Sequence, residues 1–314
     1  MVNKVPDLLE LLRRIIQKLE DANWSKANID AFTWDFQKSE DLLNKFDDGT
    51  LDPNAWRLMK DTQSKKVHLP TLTKVTELLR DADFMAKLQG GETTLTDILK
   101  NAANPLDAGT ASKLVTLTEH LENLRIVVKN HHDVEGFDKI LTDLKISTFE
   151  KQDGIAHSLN HMKELPAGSV QKVDYVFEPE VEGGLPCTNC RFDVQMVKPT
   201  IPPSDWVKYY EYKSYLEAKN IGLDQFKNYL ATIDNLSELR YIFNAKKLTT
   251  DQAKIGMKAF LKANADKIIK PVSEGGIGEV KFNQLFATDD VDVFKARLEN
   301  ANYFNQYTSF VDSK

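Results

Sequence analysis

Asp193, Glu211 and Lys213 are the residues of this chain whose types and spacing invite chemistry. Glu211 and Lys213 are two apart, so on a strand both side chains leave the same face of the sheet. Asp193 stands between Phe192 and Val194, an acid projecting from a segment whose other face is apolar. Two carboxylates and an ammonium brought to one place are costly to maintain unless charge is balanced between them. Such a set is suited to holding a small charged ligand.

Two stretches have to position these groups. Cys190 to Val197 and Trp206 to Tyr215 both alternate apolar and polar residues with a period of two, the pattern of half-buried strands. Lys198 to Asp205 between them contains Pro199, Pro202 and Pro203 and reads as the loop of a hairpin. Antiparallel pairing would bring Asp193 beside Glu211 and Lys213, with Tyr210 and Tyr212 directed to the opposite face. Val170 to Val181 reads as a preceding strand, Leu223 to Asn235 as a following helix, and Leu239 to Asn244 as a further strand. A short helix, Ile155 to Leu165, comes before them all.

An Asp on one strand followed by Glu-x-Lys on the next resembles the PD-(D/E)XK nuclease superfamily. The likeness is greatest to nuclease domains at the C-terminal ends of bacterial polymorphic toxins of the Rhs type. It runs from about Asp153 to Leu248 and rests on the order helix, strand, strand with Asp, strand with Glu-x-Lys, helix, strand. The resemblance implies a restriction-endonuclease-like α/β domain with a central mixed sheet of at least four strands. It also implies Mg2+ or Mn2+ held by Asp193, Glu211 and the backbone carbonyl of Tyr212, since these hard cations take oxygen ligands. Lys213 would orient or deprotonate the attacking water, and the cation would take up charge developing on the phosphate. The likeness extends to Gln225, with Tyr229 one turn on, as a phosphate-binding group. Relatives often carry a glutamate on the first helix. Glu164 is the candidate here, with Glu178 and Glu180 as others.

The function so implied is metal-dependent hydrolysis of phosphodiester bonds, of DNA rather than RNA, at the toxin end of a larger delivered protein. A cognate immunity protein is the implied partner. The implied route is secretion without a signal peptide and action in the target-cell cytoplasm. Two plainer readings stay open. Glu-x-Lys is also what an ion pair on a solvated strand face looks like. The chain could equally be a non-catalytic interaction protein built on a degenerate nuclease fold.

The remaining sequence sets the frame. The chain has 314 residues, 41% hydrophobic and 28% charged, long enough for two ordinary domains and typical of neither a disordered nor a membrane protein. Apolar residues recur at helical spacing from Pro6 to Leu19, and further helices are expected at about 25–46, 52–62, 70–80, 81–89, 93–102, 109–130 and 133–145. Residues 1–150 therefore read as an all-α domain, and 151–314 as the α/β domain with C-terminal helices, of which 250–269 and about 290–299 are the clearest. Net charge is −6 overall, yet residues 201–270 carry 12 basic and 8 acidic side chains, a local excess that suits a phosphate-rich substrate. No apolar run is long enough to span a bilayer.

His157 and His161 share one helical face and, with Cys187 and Cys190, could close a zinc site. The alternative is reduced thiols in a loop and two partly exposed histidines. His131 and His132 read as surface, and Trp24, Trp34 and Trp56 as core.

Overall fold

The computed structural model describes residues 5–60, 69–103, 111–146, 149–176, 191–269 and 277–314. The chain is α+β, mostly helical with one five-stranded mixed sheet. It divides into two compact units, Met1–Lys129 with Asp143–Phe149, and Asn130–Thr142 with Glu150–Lys314. Among the described residues no helix is long and apolar enough to cross a membrane.

The first unit is built from α1 (Val5–Asp21), α2 (Lys26–Phe36), α3 (Glu40–Asp47), α4 (Pro53–Met59), α5 (Leu69–Arg80), α6 (Ala82–Lys87), α7 (Gly91–Ala103) and most of α8 (Ala111–His131). The single helix expected over 25–46 is two helices. Its break has a packing reason: Phe46 meets Phe32 and Phe36 at ring-centroid distances of 4.9 Å each. A straight helix would carry residues ten or more apart at least about 15 Å along its axis. Trp56 is buried and lies 5.2 Å from Phe32, as expected of a core residue, and Trp24 stacks on it at 6.0 Å. Trp34 is not core. It is 78% exposed and borders an open groove of about 500 Å³ lined also by Ile16, Glu20, Trp24 and Ile29.

The second unit contains α9 (Phe137–Ile146) in large part, α10 (Phe149–Met162), β1 (Val170–Val176), β2 (Arg191–Met196), β3 (Tyr209–Lys213), α11 (Leu223–Thr232), β4 (Leu239–Phe243), α12 (Thr250–Ile268), α13 (Gly278–Phe286), α14 (Val291–Arg297), α15 (Ala301–Tyr307) and β5 (Val311–Ser313). The sheet order is β1-β2-β3-β4-β5. The first three strands form an antiparallel meander; β4 runs parallel to β3 and β5 parallel to β4. Parallel neighbours need a crossover, which α11 provides between β3 and β4.

Residues 130–142 sit with the sheet because the chain here pairs with β1. The Val173 amide donates to Glu135 O at 2.9 Å, and Gly136 adopts φ +85° where a Cβ would run into the Val173 carbonyl. His131 is consequently buried at 2% exposure, with Nε2 3.2 Å from Met162 O, rather than on the surface as expected. Helix α10 begins six residues before the expected Ile155, so Gly154 lies inside it. The terminal α15 and β5 were not expected at all.

One face of the sheet is covered by α11 to α15. The core there gathers Tyr209, Tyr229, Tyr241, Phe226, Phe243, Phe260 and Phe310. On the other face His161 of α10 packs against Tyr210 at 5.0 Å and Tyr212 at 5.5 Å.

Candidate functional site

Strand β3 supplies Glu211 and Lys213 to the face it shares with Tyr209, as its period of two requires. Both are buried, Glu211 at 2% and Lys213 at 7% exposure, so the pair does not stand on a solvated face. Lys213 Nζ donates to Glu211 Oε1 at 2.5 Å. Glu211 Oε1 also accepts from Gln225 Nε2 at 3.3 Å, and Oε2 from the Tyr229 hydroxyl at 2.8 Å. Gln225 Nε2 lies 2.5 Å from the Tyr229 hydroxyl, and its Oε1 is 3.4 Å from Lys213 Nζ. Helix α11 therefore adds two side chains, one turn apart, to the pair on β3.

Asp193 joins them from β2. The β2–β3 ladder pairs Gln195 with Tyr209 and Val194 with Tyr210. One residue further, Asp193 Oδ2 accepts from the Tyr212 amide at 2.6 Å, so a carboxylate takes the place of a ladder bond between Glu211 and Lys213. The carbonyl and amide of one strand residue leave on the same edge. Asn244 N donates to Lys213 O at 2.9 Å, which sets the Lys213 backbone toward β4 and that of Tyr212 toward Asp193.

Burial, the dominant influence, pushes the Glu211 carboxyl above the usual carboxylate range. Lys213, the Tyr229 hydroxyl and a backbone hydrogen bond from Asp193 offset it only in part. Burial would lower Lys213, but Glu211 and Asp193 outweigh it and hold the ammonium above its ordinary value. Lys213 Nζ also lies 5.6 Å from the Tyr215 ring centroid and 5.9 Å from that of Tyr241.

The available donors are all oxygens, the ligand type that hard divalent cations take. Asp193, half-buried, and Glu211 offer carboxylate oxygens, and the Tyr212 carbonyl leaves on the same edge. These are two carboxylates and a carbonyl; among the described residues no group of three His, Cys, Asp or Glu side chains is arranged to hold a metal. The donors already on Glu211 are ones a cation would have to share.

Other expected residues lie elsewhere. Glu164 is exposed beyond the end of α10, and Glu178 and Glu180 fall outside the described residues. Cys187 and Cys190 fall outside them too. His157 and His161 are buried, at 5% and 6%, instead of partly exposed. His157 Nε2 is 2.9 Å from Ile242 O, and His161 Nδ1 is 3.0 Å from the Tyr212 hydroxyl. Burial lowers both, His161 to about 4, so both are neutral at pH 7.

In the sequence Tyr229 stands out only as a neighbour of Gln225, and their separation of four on α11 is the available signal. Tyr241 has no such signal. It pairs with Glu211 across β3 and β4, is fully buried, and its hydroxyl has no hydrogen-bond partner among the described residues.

The chain matches no protein-family model, no curated protein and no solved structure.

Proposed function

We propose that the sheet unit is a metal-dependent nuclease of restriction-endonuclease-like fold that hydrolyses phosphodiester bonds, DNA in preference to RNA. One observation carries the reading: Asp193, Glu211, Lys213, Gln225 and Tyr229, from two strands and a helix, converge at one end of the β2–β3 ladder. The element order α10, β1, β2, β3, α11, β4 supports it, being the order on which the PD-(D/E)XK resemblance rests. The local excess of basic residues over 201–270 supports a polyanionic substrate.

In this mechanism Asp193, Glu211 and the Tyr212 carbonyl would hold Mg2+ or Mn2+. Bound there, the cation would neutralise charge developing on the phosphate and the leaving oxygen. Tyr229 and Gln225 fix the rotamer of Glu211, which keeps its oxygens directed to one place. Lys213 presents a charged N–H to the attacking water or to a phosphate oxygen and thereby orients the reaction. The setting as the toxin end of a delivered protein, neutralised by an immunity protein, comes with the resemblance.

Incubation of the full chain with labelled DNA and RNA in Mg2+ tests this. Cleavage is expected with Mg2+, is lost in chelator, and falls by at least about a hundredfold in Asp193→Asn and Glu211→Gln. Cleavage that survives chelator or either substitution contradicts it. A second reading, a non-catalytic interaction protein, is favoured by the groove around the 78%-exposed Trp34. Trp34→Ala that abolishes partner binding with no nuclease activity in the wild type would support it.

A further inference from the structure

We propose that Tyr215 and Leu216 form a stacking platform for an unpaired nucleobase beside the candidate site, so that the substrate is single-stranded or frayed nucleic acid. The proposal rests on the nuclease reading for its chemistry but not for its binding.

The observation behind it is a contrast over a few residues. Glu211 and Lys213 are 2% and 7% exposed, whereas Tyr215 and Leu216, immediately after β3, are 38% and 75% exposed. Tyr215 turns part of its ring to the Lys213 ammonium, 5.6 Å from its centroid, and leaves the remainder in solvent. The exposed ring and the Lys213 ammonium are therefore neighbours.

A paired duplex offers that ring mainly phosphate and sugar, because its base faces are stacked on one another. An unpaired strand offers base faces, and stacking on aromatic side chains is tolerant of sequence because every base has one. Leu216 extends the apolar surface. Lys246 and Lys247 follow β4 at the same end of the sheet, with Lys247 Nζ 2.9 Å from Ser214 O. Acidic groups share this end: Asp153, which pairs with Lys247 at 2.7 Å, and Glu217. The wider segment 201–270 is still net basic, 12 against 8, which favours a polyanion.

The platform is held in place from both sides. Ser214 Oγ donates to Asp153 Oδ2 at 2.9 Å and accepts from Asn244 Nδ2 at 3.0 Å. Beyond Leu216, Ala218 packs so closely on Gly256 of α12 that a Cβ at Gly256 would collide with it. Two exposed apolar residues are thus anchored rather than free to fold inward, so little ordering opposes binding.

The test compares a fluorescein-labelled 15-mer of thymidine with a blunt duplex of mixed sequence, by anisotropy in Ca2+ and by cleavage in Mg2+. The full-length wild type is expected to bind the single strand at least tenfold more tightly. Tyr215→Ala should lose about tenfold of that binding, Tyr215→Phe should keep it within twofold, and Leu216→Ser should fall between; melting curves confirm that each stays folded. Equal or tighter binding of the duplex, unchanged binding by Tyr215→Ala, or no binding of either oligonucleotide overturns the platform. Tyr215-dependent binding without any cleavage supports the platform and defeats the nuclease reading. Asp193-dependent cleavage indifferent to Tyr215→Ala does the reverse.

Discussion

In the helical unit Arg14 and Lys18 hold Asp47 at side-chain exposures of 50%, 56% and 20%, whereas in the sheet unit Lys213 holds Glu211 at 8% and 2%. The first arrangement gives up little hydration and gains little, since exposed pairs contribute at most about 1 kcal/mol. The second removes two charges from water, and a hydrophobic pair of similar volume would serve stability as well or better. The two units therefore use the same chemical pairing for different ends. What distinguishes Glu211 is the company it keeps: the donors Lys213, Gln225 and Tyr229, and Asp193 across the ladder, an arrangement that pre-orients a carboxylate.

The comparison can be broken most directly at Lys213. Lys213→Met leaves Glu211 buried without its cation and should cost roughly 3–5 kcal/mol in urea unfolding. Adding Glu211→Gln should recover most of that loss, because no buried charge then remains. A single variant as stable as wild type would mean that the pair is not buried in solution.

Next in size is the effect of acid. His131, His157 and His161 are all lowered by burial from 6.5, His161 to about 4. Between pH 4 and 6.5 the unfolded chain binds more protons than the folded one, so stability rises with pH across that window. Lowering the pH from 7 to about 4 should cost roughly 3 kcal/mol through His161 alone. Glu211, raised by burial, acts with the opposite sign above its ordinary carboxylate value of 4.5 and offsets part of this. His161→Phe should flatten the profile; an unchanged slope would show that this histidine is not buried as described.

The smallest effect belongs to the helical unit. Asp47→Asn should shift the melting temperature less than any change above, and 1 M salt should erase the shift. A salt-insensitive loss would move Asp47 into the same class as Glu211.

Much of the site was legible in the sequence because a period of two fixes which side chains share a strand face. That placed Glu211 with Lys213, sent Tyr210 and Tyr212 to the other side, and put Asp193 within reach once β2 and β3 paired. Gln225 came with the resemblance alone, since the amphipathic pattern of α11 marks only its apolar side. Tyr241 did not, since its place beside Glu211 depends on the register of β3 against β4, a pairing between residues 30 apart. His131 looked like surface because nothing local shows that residues 130–142 pair with β1. Trp34 looked like core because large aromatics are usually buried, yet it lies off the stripe of Ile29, Phe32 and Phe36 that α2 buries. β5, three residues long, carries too short a pattern to read.

The central claim is that Asp193 and Glu211 serve one cation. Calorimetric titration of Mn2+ into the wild type, Asp193→Asn and Glu211→Gln tests it most directly, with circular dichroism to verify the fold of each. The account predicts binding in the wild type that both substitutions abolish. Mn2+ binding that neither substitution alters, or none in the wild type, would contradict it.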